Sequence, residues 1–461
     1  MSLSASSNEP VTVGRKFLLD GSLRNSSINA TYGVILVALL AFFSLLDIES
    51  DNTKFAVNLQ LMVKLAIVFV ATFYAVSGWY CEPKVRRVLT TMPGLLFPVI
   101  VGFYFMSVAG AVDKKLAFAS TAILGVVVLT TVTALVHVGH RVLLNWIFLA
   151  GTIFVGISWL IYLFIPSIGV FHEPITDGQF SERMSGLAYP NVLAQIAGLT
   201  IVLGVTLAVH YRQNSILLWI GVVLAAGAMA LSLSRTSVGA TAIALLFGFR
   251  AQLVNNRFVK MDQGLAAILL VVGLTIFIFA GGGDILMDKL SSLTKSDDAE
   301  ELTTATGRTE IWATTFNLIS DRPVLGYGAA SSKELLKDYS NYTHNLVLNV
   351  MLSTGVFGGM AILIMIIGRV GSMFYRSNIV ADTLIAFILL NGLFENVIFS
   401  IIAGMPTILW IIAVTWWQFD HPEDEVQSDD ELSGDESRNE KEALDRNEEP
   451  SDDDLDNYEL I

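Results

Sequence analysis

Three arginines and one histidine stand out in this 461-residue chain because each lies where an apolar stretch begins or ends. Arg183 lies in Ser181-Glu-Arg-Met-Ser-Gly-Leu-Ala-Tyr-Pro-Asn191, and Arg235 in Ser232-Leu-Ser234-Arg-Thr-Ser237. Arg308 follows Gly307, and His344-Asn345 opens a further apolar run. A guanidinium is always protonated and grips oxyanions through paired N–H groups. An imidazole titrates near neutrality and can take a proton from a reacting hydroxyl. Gathered in one place, these side chains would hold an anion and accept a proton beside it.

Arg235 is the most informative of the four. Ile216 to Phe249 is 34 residues, whereas two full membrane crossings take about 40. The hairpin tip is therefore drawn below the membrane surface, or its second helix is a partial one. An arginine at that depth costs up to about 2.5–3.5 kcal/mol near the midplane, which a wet cavity or an anion offsets. The plainer reading is a guanidinium that snorkels to the head groups. Ser232, Ser234 and Thr236 add hydroxyl donors and favour the anion cavity.

After Arg308, the residues Ile311, Trp312, Thr315, Phe316 and Ile319 recur at helical spacing. They predict an amphipathic helix lying on the membrane surface, with Trp312 at the interface and Arg308 at its N-terminus. Asp321-Arg322-Pro323 ends it, and Gly326-Tyr-Gly328 reads as a tight turn. Of the other histidines, His137, His140 and His210 fall at span ends, His172 in a loop and His421 in the tail. No His or Asp spacing typical of metal ligands occurs near the four site positions, and Cys81 is the sole cysteine. No metal or cofactor is expected. Asp297-Asp298-Ala-Glu300-Glu301 reads as a solvated charge run. Lys64 and Glu395 fall inside predicted spans, where charges are functional candidates or packing pairs.

The elements that would carry these residues follow from composition. Hydrophobic residues make up 53% of the chain and charged ones 15%, against about 25% charged in soluble domains. The mean hydropathy is +0.61. Apolar blocks near 30–47, 55–80, 89–111, 116–138, 142–166, 188–209, 215–233, 236–249, 263–281, 345–368, 379–400 and 402–418 predict about twelve spans. The expected fold is an all-α, polytopic transmembrane helix bundle with one large exoplasmic loop, about 282–344, containing the amphipathic helix. Arg15, Lys16, Arg24, Lys84, Arg86, Arg87, Arg141, Arg212, Arg250, Arg257, Lys260, Arg369 and Arg376 fall on one side of this layout. The positive-inside rule makes that side cytoplasmic, with both termini, and makes Arg183, Arg235, Arg308 and His344 exoplasmic.

The formal charge of −14 belongs to the end of the chain. Of 42 acidic and 28 basic residues, 19 and three lie from Asp420 onward, leaving 23 and 25 in the body. The expected organisation is a cytoplasmic segment 1–29, a membrane domain 30–418 and a disordered acidic tail 419–461. The tail reads as a solvated brush, or as a docking strip for a chain-length regulator or export machinery. No basic patch with interleaved aromatics appears, so nucleic acid is excluded as a partner.

The ordered motifs Arg183…Pro190-Asn191-Val-Leu-Ala194, Ser234-Arg235-Thr236, Gly307-Arg308-Thr-Glu-Ile-Trp312, Arg322-Pro323-Val-Leu-Gly326-Tyr-Gly328, His344-Asn345 and Gly355-Val-Phe-Gly358 resemble the O-antigen ligase and polymerase superfamily. The resemblance covers about residues 180–370. It implies an inverting, metal-independent membrane glycosyltransferase in the bacterial inner membrane. The implied donor is a polyprenyl-pyrophosphate-linked glycan and the acceptor a sugar, lipid A core or protein hydroxyl. His344, Arg235 and Arg308 would be catalytic; Arg183, Asn191, Ser234, Asn345 and Trp312 would bind substrate. Two other classes compete: a lipid-linked oligosaccharide flippase, and a non-catalytic scaffold in an export assembly. A protein O-oligosaccharyltransferase is the alternative within the enzyme class.

Overall fold

The computed structural model describes residues 28–42, 54–174, 180–250, 308–337, 339–340, 342–399 and 404–419. The expected span at 263–281, the loop up to 307 with its charge run, the segment before 28 and the acidic tail from Asp420 lie outside the described residues. The chain divides into a unit Met1–Trp416 and a unit Trp417–Ile461.

The first unit is mostly helical. In chain order it contains α1 (Ile28–Ala41), α2 (Lys54–Cys81), α3 (Pro83–Thr90), α4 (Leu96–Ser107), α5 (Lys114–Phe164) and α6 (Pro166–Gly169). A two-stranded antiparallel sheet, β1 (Val170–Pro174) and β2 (Phe180–Met184), comes next. Then follow α7 (Pro190–His210), α8 (Ile216–Leu231), α9 (Arg235–Gly248), α10 (Arg308–Asp321), α11 (Ser332–Leu335), α12 (Leu346–Tyr375), α13 (Ile379–Gly392) and α14 (Met405–Thr415).

Helix α7 is the core. It is apolar all round, as a helix packed on every side must be, and it is buried continuously from Leu193 to Ala208. It packs against α5, α8, α9 and α13. Helix α2 is its opposite: Met62, Leu65, Phe69 and Phe73 are all exposed, an arrangement suited to lipid rather than water. Side-chain caps set several helix starts. The Asp113 carboxylate accepts from the Lys115 and Leu116 amides, and the Asn378 side chain from those of Val380 and Ala381, satisfying donors that a first turn leaves open.

The layout of about twelve spans is not what forms. Among the described residues, four helices are long and apolar enough to cross a membrane: Met62–Cys81, Lys114–Phe164, Pro190–His210 and Leu346–Tyr375. Ala30–Ala41, Leu96–Gly110, Ile216–Leu231, Arg235–Gly248 and Ile379–Gly392 are apolar but only 10–17 residues long. At a rise of 1.5 Å per residue, 14 residues extend about 21 Å, short of a hydrocarbon core of about 30 Å. Hydropathy overcounted because it registers apolar side chains whether or not their backbone is helical. The block 379–400, for example, is helical only to Gly392, and Leu393 to Phe399 form turns and bends. The β-hairpin likewise departs from an all-α fold.

The amphipathic helix on a membrane surface is also corrected. Helix α10 forms, but Ile311 and Ile319 are buried in one cluster with Tyr327, Leu336, Leu348 and Leu352. Most of its apolar stripe packs against α12 and the following loop, although Phe316 stays exposed. Trp312 is held the same way: its indole N–H donates to the Thr343 carbonyl at 3.1 Å.

Candidate functional site

The site is assembled where α7, α10, the β-hairpin and the turns flanking α12 and α13 meet. In the hairpin, Glu173 is registered opposite Ser181 and Arg183 opposite Phe171, so Glu173 and Arg183 are diagonal neighbours on one face. Their side chains form an ion pair at 2.9 Å. The rest of the Arg183 guanidinium is also committed: Nε donates to the Ser232 carbonyl at 2.8 Å and Nη2 to Asn191 Oδ1 at 2.7 Å. Pro190, suited to a first helical position, places Asn191 at the start of α7.

Asn191 passes the connection to Glu395. Its Nδ2 donates to Glu395 Oε1 at 3.1 Å, and Arg308 Nη2 donates to the same oxygen at 2.9 Å. The second carboxylate oxygen, Oε2, faces His344 Nδ1 at 3.1 Å. The structure thus brings Arg183, Asn191, Arg308 and His344 into one network with Glu395 at its centre. The side chains of Arg308, His344 and Glu395 are 16%, 21% and 15% exposed. A solute can reach them, yet they are shielded enough for charge interactions to exceed those in bulk water.

The Glu395 carboxylate and a hydroxyl flank the two nitrogens of the His344 ring. An ionised carboxylate only accepts, which favours a proton on Nδ1, and Ser340 Oγ stands 3.0 Å from Nε2. His344 itself has φ 49°, in the left-handed region that side chains other than glycine seldom adopt and that clusters at functional sites. Its neighbours hold it there. Thr343 Oγ1 donates to Asn396 Oδ1 at 2.8 Å. Asn345 caps α12 by accepting from the Leu348 amide at 3.0 Å, and its Nδ2 donates to the Leu393 carbonyl at 3.2 Å. Asn345 and Trp312 therefore act on the loop that carries His344.

The turn before Arg235 behaves differently. Leu233 has φ 54°, and α9 begins at Arg235 itself. Ser234 is buried, its hydroxyl turned to Ser237 Oγ at 3.3 Å, which also accepts from Asn391 Nδ2 at 3.1 Å. Arg235 is exposed, and among the described residues no hydrogen bond or ion pair engages it. The bond from Arg183 to the Ser232 carbonyl ties this turn to the network.

Two acids change the electrostatics that the arginines alone suggested. Glu173 neutralises Arg183 and Glu395 neutralises Arg308. Three arginines and two glutamates leave one net positive charge before His344 is counted, and among the described residues no acid stands against Arg235. Glu395 was visible in the sequence as a lone acid in Asn391-Gly-Leu-Phe-Glu395-Asn396, but nothing there named its partners. Glu173 gave no such signal. Among the described residues, no group of three or more His, Cys, Asp or Glu side chains is placed to hold a metal ion.

The loop after α10 is locked onto α12 where that helix breaks. Gly355 has φ 75° inside α12, which releases carbonyls from the helical ladder. The Leu352 and Ser353 carbonyls accept from the Tyr327 and Gly328 amides, both at 2.9 Å, and the Val356 amide donates to the Pro323 carbonyl at 2.7 Å. A Cβ on Gly355 would lie 2.4 Å from the Val324 carbonyl oxygen, and one on Gly326 2.6 Å from that of Leu352. Both glycines are required by close backbone approach and by left-handed φ. The Gly-Tyr-Gly turn is thus a clasp that fixes α10, and with it Arg308, to the helix beginning after His344.

A helical chain with membrane-length apolar helices and a shielded cluster of arginine, histidine and glutamate defines a membrane protein with a polar site. Residues 220–363 match the family model described as O-antigen ligase. The matched segment includes Arg235, Arg308, Trp312, His344 and Asn345, and supports assigning that part of the chain to a ligase-like, glycan-handling role at a membrane. No curated protein and no solved structure matches the chain.

Proposed function

We propose that the protein is a membrane glycosyltransferase that moves a glycan from a polyprenyl-diphosphate carrier to an acceptor hydroxyl. The observation that carries this reading is the Glu395–His344 pair, in which Nε2 faces the Ser340 hydroxyl, set beside Arg308, with His344 and Arg308 both within the segment that matches the O-antigen ligase family. The acceptor's hydroxyl would take the place of Ser340 Oγ at Nε2. Its oxygen attacks the anomeric carbon from the side opposite the carrier, its proton passes to Nε2, and the bond from that carbon to the carrier oxygen breaks. The bonding electrons leave with the diphosphate, and the configuration inverts.

Charge develops on the leaving diphosphate, and donors aimed at such charge contribute about 3–4 kcal/mol each in a water-poor site. Arg235 is open to it, Arg308 would share its N–H groups between Glu395 and the diphosphate, and Arg183 would hold the turn that presents Arg235. In this reading guanidinium groups do what a divalent cation does in other transferases. Ser234 and Asn345 support the walls, and Trp312 fixes the Thr343 carbonyl beside the base. The site faces the periplasm, with the segment 1–29 and the tail 419–461 cytoplasmic and the transferase domain spanning 30–418.

The test is purified protein in lipid with a lipid-linked glycan and a hydroxyl acceptor. Free polyprenyl diphosphate should appear together with glycosylated acceptor, and His344→Ala should stop both while donor binding persists. Transport of the donor across the bilayer without its cleavage would defeat the proposal in favour of a flippase.

A further inference from the structure

We infer that Glu395 is the positioning residue that decides which ring nitrogen of His344 carries the proton, and so whether His344 can act as a base. The inference deepens the reading above and rests on it only for the consequence in turnover. Glu395 lies outside the segment that matches the O-antigen ligase family.

Two donors, Asn191 Nδ2 at 3.1 Å and Arg308 Nη2 at 2.9 Å, converge on Glu395 Oε1, while Oε2 alone meets His344 Nδ1 at 3.1 Å. The Oε1 position therefore accepts only an acceptor atom. A carboxylate satisfies both ends, because Oε2 is an acceptor too and holds the proton on Nδ1. In Glu395→Gln the amide oxygen must stay at Oε1, since an NH2 there would meet two donors head on. The amide NH2 is thereby turned toward Nδ1, which must accept, and the proton moves to Nε2. Nε2 then becomes a donor, Ser340 Oγ must reverse its role, and an incoming hydroxyl finds no lone pair. In Glu395→Asp both positions remain acceptors, so the tautomer is kept with a longer reach.

The experiment uses the full chain in lipid nanodiscs with 15N-labelled histidine, and reads the ring-nitrogen resonances of His344, assigned by their loss in His344→Gln. At a pH where the ring is neutral, the wild type and Glu395→Asp should show a protonated Nδ1 and a bare Nε2, and Glu395→Gln the reverse. Turnover of a lipid-linked donor should fall about 10²–10⁴-fold in Glu395→Gln, the range a lost general base gives, with donor KM changed less than about twofold. Glu395→Asp should recover most of that loss. A wild-type ring protonated on Nε2 would overturn the inference, and this reading needs no variant to fold. An unchanged tautomer in Glu395→Gln would overturn it as well. A reversed tautomer with undiminished turnover would leave the positioning assignment standing and remove His344 as the base.

Discussion

Asn191 and Arg308 donate to the same oxygen, Glu395 Oε1, at 3.1 and 2.9 Å. One is at the start of α7 and the other at the start of α10, so a single carboxylate joins the central helix to the helix behind the His344 loop. Both oxygens of that carboxylate are used, which leaves Arg308 shared between a structural acid and any anion that enters.

Arg308 is therefore expected to be sensitive to shape as well as charge. Arg308→Ala should lower transfer by about 10²–10³-fold, the loss seen when one transition-state donor is removed. Arg308→Lys should restore little of it, because an ammonium cannot bridge Glu395 and a phosphate oxygen with a planar fork. Release of polyprenyl diphosphate is the readout. Wild-type rates in Arg308→Lys would show that a point charge suffices.

Arg235 separates binding from stability. It is exposed, and among the described residues no hydrogen bond or ion pair engages it, so Arg235→Ala should change unfolding free energy by less than about 0.5 kcal/mol. Transfer should nonetheless fall by about 100-fold or more. A variant that unfolds more easily and transfers normally would assign Arg235 a purely structural part.

Gly355 should tolerate no side chain. In Gly355→Ala the new Cβ meets the carbonyl oxygens of Val324 and Pro323 at 2.4 and 2.6 Å. Both are backbone atoms of the clasp and cannot rotate away. Left-handed strain alone costs about 1–3 kcal/mol, and the clash adds to it. Thermal unfolding in detergent should show a clear drop, with Arg308-dependent transfer lost alongside; unaltered melting would mean that the clasp opens at little cost.

The opposite end of α13 carries a buried ion cluster. Asp382 is fully buried and accepts from Arg250 at 3.0 Å and Arg369 at 3.2 Å. It also accepts from Ser377 Oγ and the Asn378 amide. Asp382→Ala leaves the buried Arg369 guanidinium without its counter-charge, at a cost of about 3–5 kcal/mol. Pairing it with Arg369→Met should recover part of the lost folded yield. The protein that does fold should transfer at close to the normal rate, because about 15 Å of α13, from Asp382 to Gly392, lies between the cluster and the turn that carries Glu395. Equal loss of rate per folded molecule would link this cluster to the site.

Much of this was legible in the residues. The spacing of Ile311, Thr315 and Ile319 gives α10, Asp321-Arg322-Pro323 ends it, and Gly326-Tyr-Gly328 gives the turn. These are local effects, set by backbone freedom and by the period of one helix. The span count failed at Leu393–Phe399 and at the shorter helices, since hydropathy does not report where backbone hydrogen bonds stop. Arg183, Arg308 and His344 could be singled out as costly residues beside apolar runs, but their pairing could not.

By itself the sequence determined a lipid-suited helical body, a tail carrying the net charge, and a short set of polar residues too expensive to sit at apolar edges without purpose. Those properties are sums and periods along the chain. Only the tertiary structure decided that Glu173 and Glu395 claim two of the three arginines, that among the described residues no acid meets Arg235, and that Glu395 Oε2 faces His344 Nδ1. The Glu395 contacts join side chains 51 and 87 residues apart, and the Glu173–Arg183 pair depends on the register of the hairpin; such distances are set by how elements pair and pack, which hydropathy along the chain does not encode.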